Sequence, residues 1–193
     1  SPSQIYDALS YSDLDFGEIK NENGDVVELT TGRYSVFMES TDRRVRKDAY
    51  DNLYEQYIKY KNTMASVLSS SIKANIFTMN VRGFDSVRHM YMFANNIPES
   101  VYDSLIESVK ARKDLLHRYV SLRKKVLGVD DFYAYDMHVP LIPDVNLKVS
   151  YSQAPEIVTS ALNVLGEEYV SSLKTAIENR WIDPVENQGK NSG

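Results

Sequence analysis

The 193-residue chain carries 22 Lys and Arg against 27 Asp and Glu, a net charge of −5, with 42% apolar and 25% charged residues. Charges of both signs interleave, without the concentrated basic face that phosphate neutralisation needs, so nucleic acid is not an expected partner. The absence of cysteine excludes disulfides, thiolate metal sites and a cysteine nucleophile. No apolar run reaches the length of a membrane span, so no membrane partner is expected either.

Residues 1–40 read as the least helical part, a hairpin and extended lead-in. Two short β-rich runs, 15–20 and 26–30, flank Asn21-Glu-Asn-Gly-Asp25, and an Asn/Gly loop between such runs predicts a β-hairpin. Residues 41–128 read as a long helical hairpin. Its first helix is expected to start after Ser40 or Thr41. Val45, Ala49, Leu53, Tyr57, Tyr60, Met64, Leu68 and Ile72 step by three or four and so share one face. Unbroken to Asn80, this helix would span on the order of 57 Å. Arg44, Lys47, Asp51, Glu55 and Lys59 lie on the other side, and Arg82-Gly83 ends it.

A short helix follows over 86–95, with Asp85 or Ser86 as its cap. Pro98 suits the first turn of the next, whose stripe is Val101, Leu105, Val109, Leu116, Tyr119, Leu122 and Val126, interrupted by Arg112. Gly128 supplies a left-handed stop. Residues 129–149 read as an extended connection, because Pro140 and Pro143 exclude helix. Residues 150–182 are helical again, divided at Gly166, and 183–193 lead out in a turn. The fold class is mainly α, with long antiparallel helices and a short N-terminal β-hairpin.

No constellation of catalytic side chains stands out. The histidines are His89, His117 and His138, and no two have the i, i+4 spacing of an HExxH zinc site. Asp114 lies one turn before His117, as in a helical di-metal site, but the further inward carboxylates of that chemistry are missing. Ser70-Ser-Ile-Lys73 and Ser171-Ser-Leu-Lys174 match S-x-x-K without its companion motifs and read as solvated helix faces. Arg123-Lys124-Lys125 is either a patch for phosphate or an acidic partner or the cationic last turn that complements a helix dipole, and the dipole reading is preferred.

The order of segments is more informative than any one of them. GRYSVFMESTDRRVRKDAYDNLYEQYIKYKNTMASVL, NIPESVYDSLIESV, LLHRYVSLRKKVLG, YDMHVPL, ALNVLGEEY and RWIDPVENQGKNSG succeed one another as in the oligoendopeptidase F family of thimet-oligopeptidase-like zinc metallopeptidases. The chain resembles that family from about Leu29 to Gly193. It departs from the usual pattern at Asn191, where the family has Arg, and at His138, where it has Tyr; Gly83 and Pro184 are also unusual.

The resemblance implies a large helical enzyme whose channel admits oligopeptides and excludes folded proteins. It implies zinc for the full-length enzyme, held by HExxH and a downstream glutamate, with the glutamate of HExxH acting as base. Those elements are expected beyond Gly193. This portion is therefore expected to supply channel wall, to bind no zinc and to hold no catalytic residue or metal ligand, with Lys190 and Ser192 as its candidate substrate contacts. Ser1 and Gly193 read as cut points, so self-association of the isolated piece is expected. The absence of cysteine and of an N-terminal signal segment fits a cytoplasmic location. The alternative is a non-enzymatic helical module that binds peptides or a partner chain.

Overall fold

The chain enters in a helix, not in extended backbone. Helix α1 (Pro2–Ala8) starts with a capping box, in which the Gln4 N–H donates to Ser1 Oγ and the Gln4 side chain accepts from the Ser1 amino group. It runs into a π-helical turn over Leu9–Asp13 that buries Leu9 and Ser10. The computed structural model describes residues 1–142 and 149–185, which fall in two compact units, Ser1–Leu141 and Ile142–Gly193. Among the described residues the fold is mainly α with one antiparallel hairpin.

The hairpin pairs β1 (Glu18–Lys20) with β2 (Val26–Glu28), Ile19 opposite Val27. Asn21 organises the loop, its side-chain oxygen accepting from the N–H groups of Asn23 and Asp25, both at 2.9 Å. Gly24 turns the chain with φ of 88°, a conformation that side chains with a Cβ resist. Helix α2 (Thr31–Met38), capped by Thr30, occupies backbone expected to be extended. The lead-in therefore holds two helices around the hairpin. Their signals were the Ser1/Gln4 box and the Thr30 cap.

The expected single long helix is two. Helix α3 (Arg43–Lys59) is capped by Asp42, and α4 (Lys61–Arg82) ends at Gly83 with φ of 72°. Tyr60, with φ −97° and ψ 13°, separates them. The break lets each piece meet a different partner, since α3 packs on α2 and β1 while α4 packs on α1. Val45, Ala49 and Leu53 of α3 form the core with Phe16, Ile19, Leu29, Phe37, Met38 and Tyr135. Further along the predicted stripe, Leu68 and Ile72 of α4 are exposed.

Helix α5 (Val87–Ala94) is capped by Ser86, which accepts from the His89 N–H at 2.9 Å. Arg88 ties it to α6 (Glu99–Lys110) through Glu99 and Asp103. The next expected helix also breaks, at Ala111 and Arg112, before α7 (Lys113–Leu127), which stops at Gly128 with φ of 65°. Helices α4, α5 and α6 have no fully buried residue among the described residues. The 129–142 segment is less extended than expected, since a 3₁₀ turn occupies Ala134–Asp136.

In the second unit, α8 (Ala154–Ala161) carries Pro155 in its first turn, where the missing N–H has no helical acceptor to lose. The Gln153 side chain accepts from the Ser150 N–H at 3.0 Å just ahead of this helix. A 3₁₀ turn at Leu162–Leu165 and Gly166 divide it from α9 (Glu167–Glu178). No helix among the described residues is long and apolar enough to cross a membrane.

Candidate functional site

The most elaborate polar arrangement is built on Asp136, at the end of the 3₁₀ turn and 0% exposed. Its Oδ1 accepts from Arg43 Nε at 3.1 Å and Arg46 Nη2 at 2.8 Å. Its Oδ2 accepts from Arg43 Nη2 at 2.9 Å and the Tyr133 N–H at 3.1 Å. Four donors on two oxygens match the full acceptor capacity of a carboxylate. The Tyr133 bond closes the turn locally, while the two arginines join it to the first turn of α3.

The guanidinium groups are themselves anchored. Arg46, 3% exposed, donates through Nε to the Tyr135 carbonyl at 3.1 Å and through Nη1 to the Ser40 carbonyl at 2.7 Å. Arg43 also reaches the Asp131 carbonyl at 2.7 Å and lies over the Tyr133 and Tyr135 rings. Arg123 approaches from α7, 5% exposed, with Nη2 donating to the Asp136 carbonyl at 3.0 Å and the Val139 carbonyl at 2.6 Å. Its Nη1 meets the Tyr119 hydroxyl at 3.2 Å. The basic last turn is thus more than a dipole complement, because Arg123 points inward as a clamp; Lys124 and Lys125 remain exposed at the helix end.

Electrostatics follow from this geometry. Burial works to raise the Asp136 pKa, but the hydrogen bonds from Arg43, Arg46 and the Tyr133 N–H outweigh it and hold the carboxyl below its ordinary 3.8. The Asp136 bond raises the Arg43 pKa in turn, and burial pushes the Tyr135 phenol up. A carboxylate with every lone pair engaged is not free to act as a base or to ligate a metal. The arrangement fixes the 131–139 segment across α3 and α7, and its role is architectural.

Elsewhere the sequence candidates remain apart. His117 is exposed on α7, His138 is exposed beyond the 3₁₀ turn, and His89 is half-buried on α5, 3.8 Å from Asp85. No three His, Asp or Glu side chains converge as metal ligands among the described residues, so these residues do not by themselves fit a zinc ion. Ser70 and Lys73 on α4, and Ser171 and Lys174 on α9, are exposed. The Ser171 hydroxyl donates to the Glu168 carbonyl at 2.9 Å. A groove of about 600 Å³ between α8 and α9 is lined by Glu156, Thr159, Ser160, Asn163, Lys174 and Glu178. Lys190 and Ser192, the expected substrate contacts, lie outside the described residues.

Among the described residues, the first unit is thus a helical framework tied together by a buried ionic knot. The chain belongs to Peptidase family M3, whose sequence profile matches residues 36–193. Across its whole length it is 43% identical to Oligopeptidase PepF of Bacillus subtilis (strain 168), covering 29% of that protein. It is 39% identical to an oligoendopeptidase F homolog of Lactococcus lactis subsp. lactis (strain IL1403), covering 32%. The crystal structure of oligoendopeptidase-F from Enterococcus faecium matches with a TM-score of 0.71 at 37% identity, over 93% of this chain and 33% of that one. The chain therefore spans about a third of the length of the relatives it matches.

Proposed function

We propose that this chain is a wall-forming portion of a zinc-dependent oligoendopeptidase, preceding the segment that carries the metal site. The whole enzyme hydrolyses internal bonds of short peptides in the cytoplasm, and zinc supplies a polarising charge and an activated water when bound. The residues described here contribute shape. Arg43, Arg46, Asp136 and Arg123 fix the course of the 131–139 segment, while α3 and the hairpin give it a rigid base. Lys190 and Ser192 remain the proposed peptide contacts of this portion.

The observation that carries the reading is full-length similarity to peptidases about three times longer. The test is a polypeptide that contains this chain together with the following segment. It is expected to cleave an internally quenched oligopeptide at an internal bond and to lose that activity to a chelator. Cleavage only from a peptide end, or cleavage indifferent to chelation, would refute the proposal.

A second expected outcome concerns assembly. Large apolar side chains stand exposed at helical spacing, among them Leu105 (63%) and Val109 (62%) of α6 and Leu122 (52%) and Val126 (52%) of α7, and contiguous apolar surface of this kind promotes association. The 193-residue chain alone is expected to self-associate, with a sedimentation coefficient that rises with concentration. A monomeric value over a hundredfold dilution series, on the order of 1–100 µM, would contradict this.

A further inference from the structure

On α7, Leu115, Tyr119, Leu122 and Val126 are spaced by four, three and four residues, and all are exposed. This is the alternation of a coiled-coil seam, in which each side chain enters a hole between four residues of a facing helix. At about 100° per residue Leu115, Leu122 and Val126 lie roughly a quarter-turn from Arg123, whose side of the helix is already covered, and Tyr119 borders that side, its hydroxyl accepting from Arg123 Nη1. Leu105 and Val109 continue an exposed apolar strip on α6. One side of α7 is therefore held by the ionic knot, and an adjacent side is patterned for a facing helix that the first unit does not supply.

We infer that this stripe is a helix-docking seam, occupied by an amphipathic helix from the remaining part of the same polypeptide. The occupant is indicated by the solved relative, in which a fold matching this chain makes up 33% of a single chain, so that about two thirds of such a polypeptide lie outside it. A peptide substrate is a poor candidate, because a bare apolar seam offers no polar group to orient a peptide backbone. The inference rests on the reading of this chain as one portion of a longer peptidase.

The 193 residues contain no cysteine, which makes a single introduced thiol a clean reporter. L122C and the control K124C would be alkylated in the 193-residue chain at high dilution and in the longer polypeptide, with modification read by peptide mass spectrometry. In the longer polypeptide the L122C thiol is expected to react roughly tenfold more slowly or less, at all protein concentrations, while K124C reacts at similar rates in both. Equal L122C reactivity in the two proteins overturns the inference. Protection that grows with protein concentration in the longer polypeptide also overturns it, in favour of a second copy. Peptide cleavage measured on the same samples separates the two failures. An active enzyme with an unprotected L122C refutes the seam alone, and an inactive protein with a protected L122C refutes the peptidase reading alone.

Discussion

Asp136→Ala is expected to lower the stability of the first unit by about 3–5 kcal/mol, the cost of leaving a buried ion pair half empty. Arg46 is 3% exposed, and without the carboxylate its charge would remain among apolar neighbours with backbone carbonyls alone for partners. Such a loss is a large part of the roughly 5–15 kcal/mol that holds a typical domain folded. Asp136→Asn keeps the shape and one acceptor oxygen but also removes the negative charge, so most of the penalty should persist. Amide exchange in α3 is the appropriate readout, because both arginines arise from its first two turns. Unchanged protection of α3 in Asp136→Ala would remove the knot from the account of stability.

The same residue carries a pH signature. Its carboxyl is held below the ordinary value of 3.8, so the folded state favours the ionised form more than the unfolded chain does. That contribution is complete above the ordinary carboxylate range and is lost as pH falls through the lower folded-state value. The stability gap between wild type and Asp136→Asn should therefore be flat across neutral pH and narrow below about pH 4. A gap that widened on acidification would have the wrong sign.

Arg123→Ala is the second large effect, about 2–3 kcal/mol, concentrated in the 131–141 segment. It leaves the Asp136 and Val139 carbonyls without their guanidinium donor, and a buried acceptor that loses its partner costs about 1–3 kcal/mol. Removal of the unpartnered Arg123 Nε returns part of that. Arg123→Lys should recover little, since one ammonium cannot reproduce a planar fork that reaches two carbonyls and a phenol. Proteolysis near residues 137–142 would report the release. Equal resistance of wild type and Arg123→Ala would contradict the clamp.

What could be read from residue order was the local grammar. The Asn21–Asp25 loop announced the hairpin, and Gly83, Gly128 and Gly166 each marked the end of a periodic run. The first half of the 45–72 stripe became core. The break at Tyr60 was hidden, because no glycine or proline marks it and its cause is the divergence of α3 and α4 toward different partners. The knot was hidden for a different reason. Asp136 lies 93 residues from Arg43 and 90 from Arg46, beyond any local pattern. One signal was available: Arg46 precedes Ala49 by three residues and Leu53 by seven, which sets a cation on the apolar face itself. A charged residue on a buried stripe requires a partner, and Asp136 in the aromatic YDMHVPL segment was the carboxylate that could supply it.

On the proposed reading, this portion lines the peptide channel and residues outside it carry the chemistry. The most direct test is the zinc content of the purified 193-residue chain, measured alongside its hydrolysis of internally quenched oligopeptides with and without chelator. Well under one zinc per chain and no chelator-sensitive cleavage are expected. One tightly held zinc per chain together with cleavage that a chelator abolishes would contradict it.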